Sequence, residues 1–215
     1  MALADILLKP RPLAFTVYFL FSLVFVASAV IPPLSALGSY DEVASASYNA
    51  AAPLCHQWIY RSYCLFETGG SLLFDECIPE GSDAVISTRF TYSPRAWDGE
   101  FEYSRSQIGR NRAEHVVRDG MEGYKFGVCS RDLFMYFGLM LAALAFLVVG
   151  GRVLKRSPHI AYAIVGIVPM GVDGMGQLLG LWESTNIMRA ATGLIAGATV
   201  GFYIVMLLYE ILKGR

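Results

Sequence analysis

The sequence predicts an all-α membrane protein, a bundle of about four transmembrane helices with a partly ordered extracytoplasmic insert. Three observations predict it. The 215 residues are 55% hydrophobic and only 16% charged, whereas a soluble domain carries about a quarter charged residues. The charges are concentrated between Tyr40 and Asp132, and the rest of the chain is nearly bare of them. Four segments approach the ~20 apolar residues that a helix needs to cross a hydrocarbon core of ~30 Å. The net charge of −1 gives no reason to expect nucleic acid, and the chain has no P-loop, dinucleotide fingerprint or His-Glu-x-x-His motif.

The first span runs from about Leu13 to Leu37 and is interrupted near its end by Pro32 and Pro33. Lys9, Arg11 and the triplet Ala27-Ser28-Ala29 also suit a signal peptide. The apolar run is long for one and continues past the triplet, which favours a retained helix. The second span covers about Leu133 to Val153, the third Ile160 to Trp182 and the fourth Ile187 to Leu212. Basic residues in short loops orient such a bundle. Lys9 and Arg11, then Arg152, Lys155 and Arg156, then Lys213 and Arg215 all fall on one side. Both termini are therefore expected in the cytoplasm of an integral cell-membrane protein, with the long loop outside. The domains read as 1–39, N-terminal segment and first helix; 40–132, extracytoplasmic cap with the cysteines; and 133–215, the remaining helices.

The excursion is too long for a plain connector. Val85–Tyr92 and Glu100–Tyr103 look like strands, with turn signals at Ser93-Pro94 and Asp98-Gly99. Tyr40–Pro53, rich in Ala and Ser, suits a loop or a helix lying along a surface. Cys55, Cys64, Cys77 and Cys129 all lie in or beside this region, where an external compartment permits disulfides. Cys64–Cys77 would close a short loop. Cys55–Cys129 is a candidate second bridge, although spacing alone cannot choose a pairing.

The third span carries the most unusual residue. Asp173 sits near the membrane middle, where a charge is costly unless partnered or hydrated. Gln177 lies one turn further along the same face, amid Pro169, Gly171, Gly174 and Gly176. Asp173 can equally be a structural hydrogen-bonding residue between helices. The following turn holds Glu183, Ser184, Thr185 and Asn186, with Arg189 and Thr192 inside the last span. Ser184 or Thr185 suits a helix N-cap, and Arg189 can snorkel to the interface or pair with Asp173 or Glu183. Cys55-His56-Gln57, followed by Arg61 and Ser62, and Cys129-Ser130-Arg131 complete the set. Cys55, His56 and Cys129 are of the types that ligate zinc or another divalent metal, but adjacent ligands with one distant cysteine are not a standard finger spacing. A thiol nucleophile and a disulfide or packing role remain open for the same cysteines. His115 and His159 look like loop and interface residues.

In order, Cys55-His56-Gln57, Arg61-Ser62, Cys129-x-Arg131, Pro169, Asp173-Gly174, Gln177, Glu183-Ser184-x-Asn186, Arg189 and Thr192-Gly193 resemble an uncharacterised family of small archaeal and bacterial membrane proteins, a domain of unknown function. The resemblance covers the membrane portion and both cysteine motifs and implies no activity. Two departures matter. Asp132 stands where relatives often have a second cysteine, which weakens a metal site that needs that thiol. Residues 63–128 look like a lineage-specific insert.

Three functions follow as expectations. The first is a membrane-embedded enzyme acting on a lipid or lipid-linked substrate. Asp173, His56 and Glu183 would be its catalytic groups, and Arg131, Arg189, Gln177 and Asn186 would hold the substrate. The second is an accessory subunit using the insert and the aromatic first and second helices as contact surfaces. The third is a proton- or ion-coupled carrier built on Asp173, which would require a homo-oligomer because four helices are few. The lipid bilayer is the expected partner in every case.

Overall fold

The apolar run after Lys9 forms α1, Pro10–Leu37, in a computed structural model that describes residues 9–52, 59–79, 82–87, 100–102, 113–150, 153–154 and 156–214. Both prolines lie inside this helix rather than ending it. A proline removes the N–H that would bond to the carbonyl four residues earlier. The Ala29 carbonyl, freed in this way by Pro33, instead accepts the Gly127 N–H at 2.8 Å. The Ser35 hydroxyl donates to the carbonyls of Ile31 (2.7 Å) and Pro32 (3.0 Å). Gly127 is required for this approach, because a Cβ there would lie 2.6 Å from the Ser28 carbonyl oxygen.

The chain divides into two compact units, residues 27–133 and residues 1–26 with 134–215. In the first unit α2, Asp41–Ala51, buries Ala44, Tyr48 and Ala51. Tyr48 packs with Ala36, Ala44 and Tyr124, and its hydroxyl donates to the Lys125 carbonyl at 2.5 Å. A single 3-10 turn, Ile59–Arg61, leads into six strands among the described residues: β1 Tyr63–Thr68, β2 Ser71–Glu76, β3 Val85–Ser87, β4 Glu100–Glu102, β5 His115–Arg118 and β6 Met121–Lys125. They form an antiparallel sheet in the order β2-β1-β6-β5-β3-β4. The all-α expectation is thereby corrected: the insert is a β-sheet module between helices.

Two tight turns build the sheet. Gly69-Gly70 joins β1 to β2 and Asp119-Gly120 joins β5 to β6, all four with positive φ. Positive φ at both central residues gives the twist that suits a two-residue hairpin. The core under the sheet includes Ile59, Phe66, Ile86 and Val116, with Cys64 bonded to Cys77 in a disulfide. Phe66 faces Gly123, whose missing side chain makes room for the ring. Arg118, nearly buried, stacks over Phe66 at 4.8 Å and bonds to the Asp75 carboxylate at 2.6 Å. β3 and β4 lie within the two stretches read as strands, but the Ser93-Pro94 and Asp98-Gly99 turns fall outside the described residues.

The second unit is helical: the first part of α1, then α3 Ser130–Val149, α4 Ala161–Leu178 and α5 Asn186–Lys213. Its apolar side chains face outward as well as inward. Val24 is 67% exposed, Val148 68% and Val165 68%, as expected of helices whose solvent is lipid. Helices in lipid associate through small residues that let backbones approach. A Cβ on Gly197 would lie 2.1 Å from the Met135 carbonyl oxygen, and one on Gly138 2.5 Å from that of Leu194. Ala14, Tyr18, Ala142, Phe146, Val205 and Met206 fill the remaining core. Among the described residues, α1, α3 and α5 are long and apolar enough to cross a membrane. α4 is shorter and carries Asp173, Gln177 and several glycines.

Candidate functional site

The α4–α5 connection folds back on itself. α4 stops at Leu178, and the chain reverses through Gly180, whose φ is +69°. The turn places Trp182 over Gly176, where a Cβ would lie 2.0 Å from the indole. The Thr185 hydroxyl accepts the Met188 N–H at 3.2 Å and caps α5. With Thr185 as the cap, Ser184 turns inward.

The reversal surrounds Asp173 with donors. Its side chain is 4% exposed. The Ser184 hydroxyl donates to Oδ2 at 3.1 Å, the Gln177 amide to Oδ2 at 3.2 Å and the Trp182 indole N–H to Oδ1 at 3.5 Å. Gln177 uses its other end as an acceptor, taking Arg189 Nη2 at 3.1 Å. Arg189, also 4% exposed, gives Nη1 to Asn186 Oδ1 at 3.2 Å. An acid and a guanidinium are thus joined through one amide, inside a segment that is otherwise apolar. The Thr192 hydroxyl returns to its own helix, on the Met188 carbonyl at 2.8 Å. Glu183 is exposed beside this network.

Sequence reasoning placed Asp173 and Gln177 on one face and put Arg189 and Asn186 nearby, and the structure links all four. It did not foresee Trp182 and Ser184 as ligands of the acid. The available signal was Gly176, six residues before a tryptophan in a short glycine-containing connection.

The other sequence candidates lie in the sheet-bearing unit. Cys129 sits at the start of α3, and Cys55, its partner in the candidate second bridge, falls outside the described residues. The Cys129 Sγ donates to Asp132 Oδ2 at 3.1 Å, across the first turn of α3. Asp132 is therefore the thiol's hydrogen-bond partner. Ser130 Oγ donates to the Arg61 carbonyl at 2.9 Å, and Arg61 lies 5.1 Å over the Tyr60 ring. Arg131 is half-buried in the same turn. Cys55, His56 and Gln57 fall outside the described residues. Among the described residues no three His, Cys, Asp or Glu side chains gather as a metal site. His115 is a sheet residue rather than a loop one, its Nδ1 2.8 Å from Ser87 Oγ. His159 accepts the Ala161 N–H at 3.2 Å, ahead of α4.

The comparisons agree with the class of protein this architecture defines. Residues 120–203 match the family described as "Predicted membrane protein (DUF2085)", in line with the resemblance to an uncharacterised membrane-protein family. The match takes in Cys129 through Gly193 and leaves Cys55 to Ser62 outside. An uncharacterized protein of Methanocaldococcus jannaschii is 38% identical over 90 residues, 42% of this chain and 58% of the relative. Another, of Methanothermobacter thermautotrophicus, is 38% identical over 76 residues, 35% of this chain and 66% of the relative. The matched stretch thus spans between 58% and 66% of these relatives' own lengths. No solved structure matches the chain.

Proposed function

We propose that the protein is a multi-pass membrane enzyme acting on a lipid or lipid-linked substrate at the extracytoplasmic side of the bilayer. In this reading Asp173 moves a proton and Arg189 holds an anionic part of the substrate, such as a phosphate. The observation that carries it is the Asp173–Gln177–Arg189 relay. One hydrogen bond would suffice to fasten two helices. Here a buried acid collects Ser184, Gln177 and Trp182, and the bridging amide leads to a buried guanidinium. Ionisable groups inside membrane helices are costly, and they mark substrate or proton pathways by default. Gln177 and Asn186 orient the guanidinium, while Glu183 stays at the rim.

The reading takes α4 as a fourth span. Its 18 residues reach ~27 Å at 1.5 Å per residue, and Val165, Val168 and Val172 face outward as lipid-facing residues do. With four spans the basic residues of the termini and of the 150–160 loop share one side, which puts both termini in the cytoplasm. Zinc or another divalent ion on Cys55, His56 and Cys129 belongs to the same proposal. It is supported by the thiol of Cys129 lying beside the Asp132 carboxylate, since both are zinc-ligand types.

The test is the lipid and lipid-linked-intermediate profile of a strain lacking the protein, complemented with wild type or Asp173→Asn at equal protein level. The proposal expects a species that accumulates without the protein, disappears with wild type and persists with Asp173→Asn. Full correction by Asp173→Asn would rule out a proton-transfer role. A second reading, an accessory subunit, is favoured by the edge strand β2, where Leu72 is 59% and Phe74 44% exposed. Larger subunits that co-purify with wild type but not with Leu72→Ser/Phe74→Ser would select it.

A further inference from the structure

The membrane unit holds a groove that the polar network does not use. It has a volume of about 410 Å³, and its walls include Leu141, Ala145, Pro158, Tyr162, Ala198 and Phe202, from α3, α5 and the start of α4. That is within the ~300–1,000 Å³ typical of ligand pockets. The lining is nearly all apolar. Thr199 spends its hydroxyl on its own helix, at 2.8 Å from the Ile195 carbonyl. Ala163, in the wall, precedes Asp173 by ten residues of α4, or ~15 Å of helix. Groove and network therefore occupy different depths.

The near end of the groove is basic and held in place. The backbone N–H and hydroxyl of Ser157 donate to the two oxygens of Glu210 at 2.6 and 2.8 Å, fixing the loop before Pro158 to the end of α5. Arg156 directly precedes Ser157, and Lys213 follows Glu210 by three residues on the same helix, so both cations flank this carboxylate, and both are exposed. Two cations against one carboxylate, itself already holding two Ser157 donors, leave this rim net positive. Basic pockets between membrane helices suit anionic head groups.

We infer that this groove binds one anionic phospholipid of the leaflet on the Arg156 side, with an acyl chain against Leu141, Ala145 and Phe202 and the phosphate between Arg156 and Lys213. Hydrocarbon fits because the walls are nearly all apolar, with the Thr199 hydroxyl turned to its own helix, and the head group is selected by the charge at the rim. The site stands apart from the enzyme reading and survives its failure.

The test is native mass spectrometry of the full-length protein released from nanodiscs of equal phosphatidylglycerol and phosphatidylcholine. Wild type should retain one phosphatidylglycerol in preference to phosphatidylcholine. Ala145→Trp, which plugs the groove from an exposed wall position, should retain neither. Arg156→Gln/Lys213→Gln, at exposed positions that leave the core intact, should lower phosphatidylglycerol retention roughly tenfold or more and abolish the preference. Equal retention of the two lipids by wild type would overturn the inference, as would unchanged retention in either variant. If Ala145→Trp does not fold, the charge variant decides.

Discussion

The contact between Asp173 and Ser184 offers a sharp test of the polar network, because its energy can be isolated from everything else the acid does. Asp173→Ala removes an acceptor used by Ser184 at 3.1 Å and Gln177 at 3.2 Å. The Trp182 bond, at 3.5 Å, is too long to count for much. Hydrogen bonds between membrane helices average ~0.6 kcal/mol in double-mutant cycles, with a maximum of ~1.7. Two bonds to a carboxylate therefore favour the wild type by roughly 1–3 kcal/mol. Removing the acid also removes the cost of burying a charge, which works in the opposite direction. The single mutant's sign is thus a difference of comparable terms, but the coupling is not. We expect Asp173→Ala and Ser184→Ala together to cost less than the sum of the two alone, by about 1 kcal/mol. Ser184 has a fallback acceptor in the Thr185 carbonyl at 3.3 Å, which keeps its own loss small. The assay is reversible unfolding in mixed SDS micelles followed by circular dichroism. Coupling indistinguishable from zero would refute the claim that this hydrogen bond organises the turn.

Four further outcomes are expected. Thr185→Ala should destabilise the protein by about 1 kcal/mol through loss of the α5 cap, read as a fall in unfolding midpoint without loss of the folded baseline. Gly197→Ala should force α3 from α5 and cost more than about 1 kcal/mol, because its Cβ would meet backbone. Gly171→Ala, where nothing lies within 4 Å, should be neutral or stabilising by up to ~1 kcal/mol; the pair can be compared in one micelle titration. Cys64→Ser/Cys77→Ser should destabilise the sheet by ~2–4 kcal/mol, measured as increased proteolysis of the insert at a set temperature.

How far the fold could be read in advance depended on which signals are local. The three spans of highest hydropathy were legible because apolar length is a property of a continuous stretch. The sheet was not, although its turns were visible: Thr68-Gly69-Gly70-Ser71 and Arg118-Asp119-Gly120-Met121 are strong hairpin signals between β-prone runs. Attention to Ser93-Pro94 and Asp98-Gly99 instead left β1, β2, β5 and β6 unread. Pro32-Pro33 suggested a break, and the helix continues because Gly127, ninety-odd residues away, supplies the missing donor; no local pattern carries that information. At the site, Asp173 and Gln177 were legible through helical spacing. The role of Ser184 was not, because the choice of Thr185 as cap is decided by how the chain reverses through Gly180. Asp132 was not legible as the partner of Cys129, because the thiol's direction across the first turn of α3 is set by the fold.

The central claim is that Asp173, Gln177 and Arg189 form one connected network within the membrane helices. The most direct measurement is a rotational-echo solid-state NMR distance in lipid bilayers between the Arg189 guanidinium nitrogens and the Gln177 side-chain carbonyl carbon. The 3.1 Å hydrogen bond puts the nearest nitrogen about 4 Å from that carbon. A dephasing curve fitted by that separation is the expected result. A curve showing no approach closer than twice that distance would contradict the account.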